Sequence, residues 1–503
     1  MKNIRNIIIG IPIVFLLLVQ ISCSKEFLNK TDPTKLGVNT FYQNQTEVDQ
    51  ALVGVYGQLQ TIITNQWKFN ELTSDNTTVD FNPSDRGQAS DIEQFEYWQV
   101  TPSNPSINTM YDRYYNALYN INLTLSKLSS ANIPDSARNV VKGQLEFLRA
   151  YYYYNLTMYF GDVILITQPL NDPSQAWAYE RKPQDSIFAQ VESDLKDAIS
   201  SLPVRYDAAN VGRITKGAAL SLLGKVYLTV KDYADAVSTL SQVLNLGYAL
   251  LPSYAAVFDP ANKNSVESIF EVQFQGGNTL GVASNFIYTF APRLSGALTT
   301  GFPQANPGGW NIPTKNMIAA YEPGDLRKAA SIALNFVSPV TGQVVPYIKK
   351  YDHPSSIYGQ SNDDWPVIRY SDVLLMLAEA INELNGPTDE AYSYLNQVRN
   401  RAGLNSLSGL NQLTFRDTVY HERRVELAFE NDRWFFLKRT MSPDQLTSFL
   451  NAYGAKEKSD PTTSRQGVAY STGDYVFAPY KAIFPIPGNE IITNNKLTQN
   501  SGY

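Results

Sequence analysis

The sequence predicts a mainly α protein, with tetratricopeptide-like helix pairs forming an α-helical scaffold and a long-loop, partly β irregular face. Three observations carry this. Long stretches repeat apolar residues at the 3.6 period of an amphipathic helix. Residues 215–247 contain the Leu-Gly-x-x-Tyr spacing of a helix-pair repeat, as Leu223, Gly224 and Tyr227. Two spans, residues 75–106 and 252–370, lose the period and are too long to be mere connectors.

The first helix is predicted over Glu47–Ile63, where Val48, Ala51, Leu52, Val55, Leu59 and Ile62 share one face. A second follows at Met110–Leu128. A third covers Ala137–Tyr159, with Leu145, Leu148, Tyr152 and Leu156 in register and Gly161 as its stop. The fourth is Gln184–Leu202, ended by Pro203. In the repeat at Thr215–Gly247, Ala236 and Leu240 fall where a small and a large apolar residue let two antiparallel helices close. Ser371–Arg401 reads as a looser copy with Gly386–Pro387 at its turn. An isolated pair cannot bury its own faces, so the helices of residues 47–247 and 371–450 are expected to form one body. Residues 252–370 between them are rich in Gly, Pro, Asn and Tyr. Short strand-like runs appear there at Ser268–Phe274 and Val344–Lys349. Long loops held on a rigid scaffold are the usual place for a binding site.

Composition removes several classes of function. The single cysteine excludes an intrachain disulfide and any Cys-built zinc or iron–sulfur centre. With only His353 and His421, most His-built metal sites are excluded too. A net charge of −6 without a basic block argues against nucleic acid. Lys2 and Arg5 followed by the apolar run Ile7–Ile21 read as a secretory leader, because the run is shorter than the ~20 residues of a membrane span. The sole cysteine, Cys23, stands directly after Ser22 at the end of that run. This is lipoprotein geometry, in which Cys23 is lipidated and becomes the mature N-terminus. Residues 1–22 are thus the predicted signal peptide and residues 23–40 a lipidated polar tether. The body divides into an N-terminal helical region, 41–250, and a C-terminal region, 251–503, that carries the loop-rich insert 252–370.

Catalytic motifs are missing. No nucleophile elbow, P-loop, dinucleotide fingerprint or H-E-x-x-H occurs, and no cofactor is implied. The acidic run at residues 421–434, HERRVELAFENDRW, spaces Glu422, Glu426 and Glu430 four apart, with Arg423, Arg424 and Arg433 beside them. Two carboxylates can cleave a glycosidic bond when they face each other across a sugar. Three on one helix face point the same way, and arginines keep them ionised, so a structural ion-pair network is the stronger reading. His353, next to Pro354, reads as a surface loop residue.

The irregular spans are better candidates. Tyr97 and Trp98 lie in one, and Phe302 and Trp310 in the other. Asp75, Asn76, Arg86, Asn104, Gln304 and Asn306 stand near them in sequence. Sugar rings present C–H faces that stack on Trp or Tyr, and their hydroxyls suit Asp, Asn, Gln and Arg. The competing reading is that each Trp anchors its own loop.

These motifs, in this order, resemble the SusD/RagB family of outer-membrane nutrient-binding lipoproteins of the Bacteroidetes. The residues that carry the resemblance run from Ser22–Cys23 through Ala51-Leu52-Val53-Gly54-Val55-Tyr56 and Leu148-Arg149-Ala150 to Phe160-Gly161-Asp162. They continue with Thr215-Lys216, the repeat at Leu223–Tyr233, Glu267-Ser268-Ile269-Phe270, Pro313-Thr314 and Ile368-Arg369-Tyr370. Val398-Arg399-Asn400-Arg401-Ala402-Gly403, Glu422-Arg423, Glu426-Leu427, Arg433-Trp434 and Phe484-Pro485-Ile486-Pro487 complete them. The resemblance implies tetratricopeptide-like pairs cradling an irregular face. It also implies a non-catalytic lipoprotein of the outer membrane, facing the cell exterior, that captures a glycan and delivers it to a SusC-like TonB-dependent transporter. The acidic-aromatic positions after the first helix correspond to Asp75 and Trp98, and the aromatic position ahead of the Pro-Thr pair to Trp310. The expected ligand contacts are therefore Asp75, Arg86, Trp98, Asn104 and Trp310. Two rivals remain: a peptide- or protein-binding lipoprotein of the same architecture, and a glycoside hydrolase using Glu422.

Overall fold

The computed structural model describes residues 41–170 and 172–503. The predicted leader, Cys23 and the tether therefore lie outside the described residues. Helix α1 (Gln45–Trp67) is capped by Asn44, whose side chain accepts from Glu47 N, and its apolar stripe of Val48, Leu52, Val55, Leu59 and Ile62 is buried. A π turn, Lys68–Leu72, continues it and turns Phe69, Asn70, Glu71 and Leu72 inward.

Next come α2 (Gln88–Glu96), α3 (Pro105–Leu128), α4 (Asp135–Phe160) and α5 (Gln184–Ser201). The C-terminal half of α4 is buried all round, as in a central helix. Its tyrosines bury ring area and still find partners: Tyr153 Oη donates to Ile166 O at 2.8 Å, and Tyr159 Oη accepts from Asn70 Nδ2 at 2.7 Å. Gly161, at φ 75°, ends the helix in a conformation that a side chain would resist.

The repeat pairs are α6 (Lys216–Thr229) with α7 (Tyr233–Leu240), and α8 (Tyr370–Asn385) with α9 (Asp389–Arg401). They are far apart in sequence but adjacent in space. α4 packs on α5, α5 on α6, α7 on α8, and α8 also on α10 (Gln412–Glu426). The loop-rich insert leaves the array after α7 and returns at α8, so the pairs stack as though consecutive. Within the first pair Gly224 faces Leu240, and a Cβ there would lie 2.4 Å from the leucine side chain. α11 (Arg433–Thr440) and α12 (Pro443–Ser459) follow. One hydrophobic core runs through the scaffold from Val48 to Ile486, and a smaller cluster around Ile287, Ile312 and Tyr347 lies under the insert.

The β content is short antiparallel pairs. Ser268–Val272 pairs with Trp365–Arg369, joining the two ends of the insert. Thr77–Thr78 pairs with Ile312–Pro313, joining the two irregular spans to each other. Three expectations are corrected. The span 75–106 contains α2 and the first residues of α3, because Asn104 caps α3 and Pro105 opens it. The strand expected at Val344–Lys349 shrinks to Tyr347–Ile348, paired with Ile332–Ala333. Glu430 does not share a helix face with Glu422 and Glu426, because α10 stops at Glu426 and Phe429 and Asn431 take positive φ. Side chains replace the missing helical bonds there. Glu426 O accepts from Tyr254 Oη at 2.7 Å and Arg369 Nη2 at 3.0 Å, Ala428 O from Lys350 Nζ at 2.7 Å, and Phe429 O from Tyr351 Oη at 3.0 Å.

These carboxylates head a buried ion network. Glu422 is held by Arg327 at 2.5 Å and Arg399 at 2.9 Å. Glu426 meets Arg401 at 2.5 Å, Arg369 at 3.0 Å and Arg327 at 3.2 Å. Glu430 meets Arg369 and Lys350, each at 2.7 Å. Burial alone would raise the Glu426 carboxyl, but Arg401, Arg369 and Arg327 hold it far below the ordinary range.

The fit of Gly224 against Leu240 yields a prediction. Gly224→Ala should destabilise the protein by about 1–3 kcal/mol through overpacking, although alanine favours the helix by about 1 kcal/mol. Urea unfolding of the two proteins measures this, and an unchanged midpoint would refute the close packing.

Candidate functional site

An open cleft of about 640 Å³ lies where the end of α1 meets the insert. Thr64, Asn65 and Lys68 line it from α1 and its π turn, and Asn285, Tyr288 and Trp310 from the insert. Trp310 is half-buried and packs on the core along one side. Its segment is bonded to the helical turn before it: Gly308 N donates to Tyr288 O at 2.8 Å, Gly309 N to Ala291 O at 2.9 Å and Trp310 N to Thr289 O at 3.1 Å. Gly308 has a local reason to be glycine. A Cβ there would lie 2.2 Å from the indole, so the ring rests against bare backbone.

Tyr288 continues the aromatic surface. Its ring meets Tyr358 edge-on at 5.7 Å, and Tyr358 meets Phe302 edge-on at 5.6 Å. The Tyr288 hydroxyl is buried without a hydrogen-bond partner among the described residues. Lys68 Nζ reaches Asn65 Oδ1 at 3.2 Å and Ser106 Oγ at 3.3 Å. Burial, and secondarily Arg113, lowers its pKa to about 8. The cleft thus offers aromatic faces, amides, hydroxyls and one weakly held cation. It can stack and hydrogen-bond a polar ring. Among the described residues, its lining holds no pair of opposed carboxylates.

The rim carries a hairpin, residues 353–363, whose Gly359 and Gln360 line the cleft. Ser355 N donates to Gln360 O at 2.9 Å, Asn362 N to His353 O at 3.1 Å, and His353 Nδ1 lies 2.5 Å from Asp363 Oδ1. His353 is therefore a clamp as well as a partly exposed loop residue. Burial pushes its pKa down, but the bond to Asp363 and the charges of Asp363, Asp352 and Asp259 outweigh it, so the net direction is up. Burial pushes Asp363 up as well, against His353 and Lys263.

Of the five residues expected to contact a ligand, Trp310 alone lines this cleft. Asp75 is corrected to a structural anion. It is 1 % exposed and paired with Arg424 and Arg433, each at 2.8 Å. Burial would raise its carboxyl, but the two guanidinium groups hold it at about 2. Trp98 is corrected to a core anchor. It is 3 % exposed, donates from Nε1 to Thr73 O at 2.8 Å, and sits edge-on against Tyr475 and Phe477, so no face remains for a sugar. Asn104 is corrected to a helix cap: its Oδ1 accepts from Ser106 N at 2.9 Å while Nδ2 donates to Asp91 O and Gln94 Oε1. Arg86 is exposed but lies away from the cleft, in a bidentate pair with Glu93 at 2.9 and 2.8 Å, with its guanidinium 5.0 Å from the Phe81 ring. Tyr97 is buried, and its hydroxyl accepts from Arg465.

Sequence reading missed Tyr288, Lys68 and Asn285. One signal was available: the apolar stripe of α1 gives way to Thr64-Asn65-Gln66-Trp67-Lys68, a polar and aromatic end to an otherwise regular helix. Tyr288 had none, because one tyrosine among 32 carries no positional information.

Residues 338–503 match the family model described as "SusD family", and residues 26–228 match one described as "Starch-binding associating with outer membrane". SusD-like protein P25 of Formosa agariphila is 28% identical over 484 residues, which cover 87% of this chain and 90% of that protein. A laminarin-binding SusD-like protein of known structure is 25% identical with a TM-score of 0.74, covering 92% of this chain and 100% of that one. A SusD homologue from Bacteroides thetaiotaomicron, 21% identical, has the same fold, with a TM-score of 0.79 over 94% of this chain and 100% of that one.

Two pH predictions follow. Asp75 is depressed in the folded state, so its contribution is present above the unfolded value near 4 and is lost as pH falls toward 2; it amounts to about 2.5 kcal/mol. Urea unfolding between pH 5 and pH 2.5 should lose about two thirds of this increment, and Asp75→Asn, starting less stable, should lack that loss. His353 is raised, so its clamp is fully present below about pH 6.5 and weakens as pH rises through the higher folded value. Hydrogen exchange of amides 355–362 should accelerate between pH 6 and 8 beyond the intrinsic base-catalysed rise, and His353→Ala should abolish that excess.

Proposed function

The chain belongs to the SusD/RagB family, and from that premise we propose that it is a non-catalytic, glycan-binding surface lipoprotein. It captures an oligo- or polysaccharide in the Trp310 cleft and delivers it to a SusC-like TonB-dependent transporter. The lipid on Cys23 anchors it in the outer membrane, facing the exterior. The observation that carries the glycan reading is the pairing of Trp310 and Tyr288 with Asn65, Asn285 and Lys68 around one open cleft. Stacking on the C–H face of a sugar removes apolar area from water, and the surrounding amides replace the hydroxyls' bonds to solvent. The relative that binds laminarin makes a β-glucan the first ligand to test.

Two facts support a binding role over hydrolysis. Glu422, the acid of the hydrolase reading, is 0 % exposed and both its oxygens are occupied by arginines. The cleft lacks the facing carboxylates that glycoside cleavage uses.

Affinity gel electrophoresis through a panel of plant, host and microbial polysaccharides, laminarin included, tests the proposal. One polysaccharide should retard the protein, and Trp310→Ala and Tyr288→Ala should each weaken retention about tenfold or more while still melting cooperatively. Trp98→Ala should instead lower stability by about 3–5 kcal/mol, as loss of a core aromatic does. Retention unaffected by Trp310→Ala would move the site elsewhere. No retention across the panel, together with binding of protein digests, would replace the glycan with a peptide ligand.

A further inference from the structure

A second pocket, of about 190 Å³, shares no residue with the cleft. α3 carries Tyr111, Tyr115 and Tyr119 at four-residue spacing, so their rings lie along one helix face. The segment after α4 covers that face with Ile164, Ile166 and Leu170. The enclosed space exceeds the ~150 Å³ that accommodates a benzene ring.

The polar groups around this apolar, aromatic slot have one sign. Asp112, exposed, and Glu490, half-buried, stand at its rim, and among the described residues neither lysine nor arginine is in its lining. Arg181 acts on the Tyr111 hydroxyl only at a distance. Its guanidinium is occupied by Asp162 O at 2.7 Å, Thr498 O at 2.8 Å, Phe160 O and Asn500 Oδ1. Two of the lining polar groups are already used: Tyr115 Oη donates to Ile164 O at 2.9 Å and Asn122 Nδ2 to Ile166 O at 2.8 Å. Tyr111 differs. It is 2 % exposed, it lines the pocket, and its hydroxyl lies near that of Tyr115 but is within hydrogen-bond distance of no group among the described residues. A buried hydroxyl left unpaired costs free energy that a ligand group can recover.

We propose that this pocket binds an apolar group carrying one cationic nitrogen, a protonated amine or a guanidinium, with the tyrosine rings as walls and Tyr111 Oη, Asp112 and Glu490 as acceptors. A cation is attracted to ring faces and to carboxylates alike. Burial raises both rim carboxyls, and Asp112 raises Glu490 further, a repulsion that a cation between them relieves. A neutral sugar offers the two rim carboxylates no charge to pair with. The same chemistry can come from a free organic amine or from a lysine or arginine side chain of a polypeptide.

Ligand-observed NMR on the intact protein separates these cases, with phenethylamine, 2-phenylethanol and phenylacetate as probes that differ only in charge around one ring and chain. Phenethylamine should bind at least tenfold tighter than the alcohol, and the acid should not bind. Asp112→Asn combined with Glu490→Gln should weaken the amine at least tenfold. Tyr111→Phe should weaken it severalfold while leaving the melting temperature unchanged or higher, since it removes an unpaired hydroxyl. Equal binding of the three probes, no binding of the amine, or binding indifferent to the double substitution would each overturn the proposal. Capped Phe-Lys and Phe-Arg peptides then identify the source. Displacement of phenethylamine at lower concentration assigns a polypeptide side chain, and failure to displace it assigns a free amine. Polysaccharide retention by the double variant should equal that of the parent, so the two sites stand or fall separately.

Discussion

The C-terminus of α10 is where the architecture is tied together. Glu422, Glu426 and Glu430 leave it in different directions and are met by arginines from elements that are otherwise unconnected. Arg327 comes from the insert, Arg369 from the strand that closes it, and Arg399 and Arg401 from α9. Glu267, at the start of the insert, joins through Arg369 at 2.8 Å and Arg401 at 3.0 Å. Taking so many charges out of water is expensive, and it is tolerated only because each carboxylate is matched by more than one donor in good geometry. A register error of one residue in any of these elements would bury an unpaired charge. The network therefore acts as a lock on the arrangement of the insert against the helix pairs, whatever its net contribution to stability.

The same logic extends to the other irregular span. Asp75 is drawn under α10 and α11 by Arg424 and Arg433. The chain that follows is pinned by Thr77–Thr78 pairing with Ile312–Pro313 and by Asp80 N donating to Gly309 O at 2.7 Å. Each pin falls within a few residues of Trp310. Opposite the end of α1 the cleft is thus bordered by segments with little regular secondary structure of their own, held by buried ionic and backbone contacts. A stacking surface for a flexible polar ligand benefits from this, because a preorganised wall spares the cost of ordering it on binding.

The family's scaffold motif and the candidate cleft meet through this chain of contacts and not through shared residues. The acidic run that looks most like chemistry in the sequence is largely buried, and the aromatic cleft draws, beside Trp310, on residues that no motif singles out. Trp98 illustrates the exchange. As a tryptophan in an irregular span it has the same credentials as Trp310, yet it closes against Tyr475 and Phe477 while Trp310 borders open space. Nothing within a few residues of either one distinguishes them, because the partners that bury Trp98 come from the far end of the chain.

What the sequence determined by itself is what local physics encodes. The helices of the scaffold, the stop at Gly161 and the close-packed repeat around Gly224 follow from periodicity and backbone preference, which act over a few residues. The exclusion of cysteine- and histidine-built centres follows from counting. The structure alone decided which distant segments meet: that α7 packs on α8 across the insert, that Glu430 leaves the helix because Lys350, Tyr351 and Arg369 take over its backbone and side-chain bonds, and that Asp75, Trp98 and Asn104 turn inward. Exposure is a property of a residue's neighbours in space. For a ring or a carboxylate in a loop, those neighbours are set by long-range contacts that leave no trace in the local sequence.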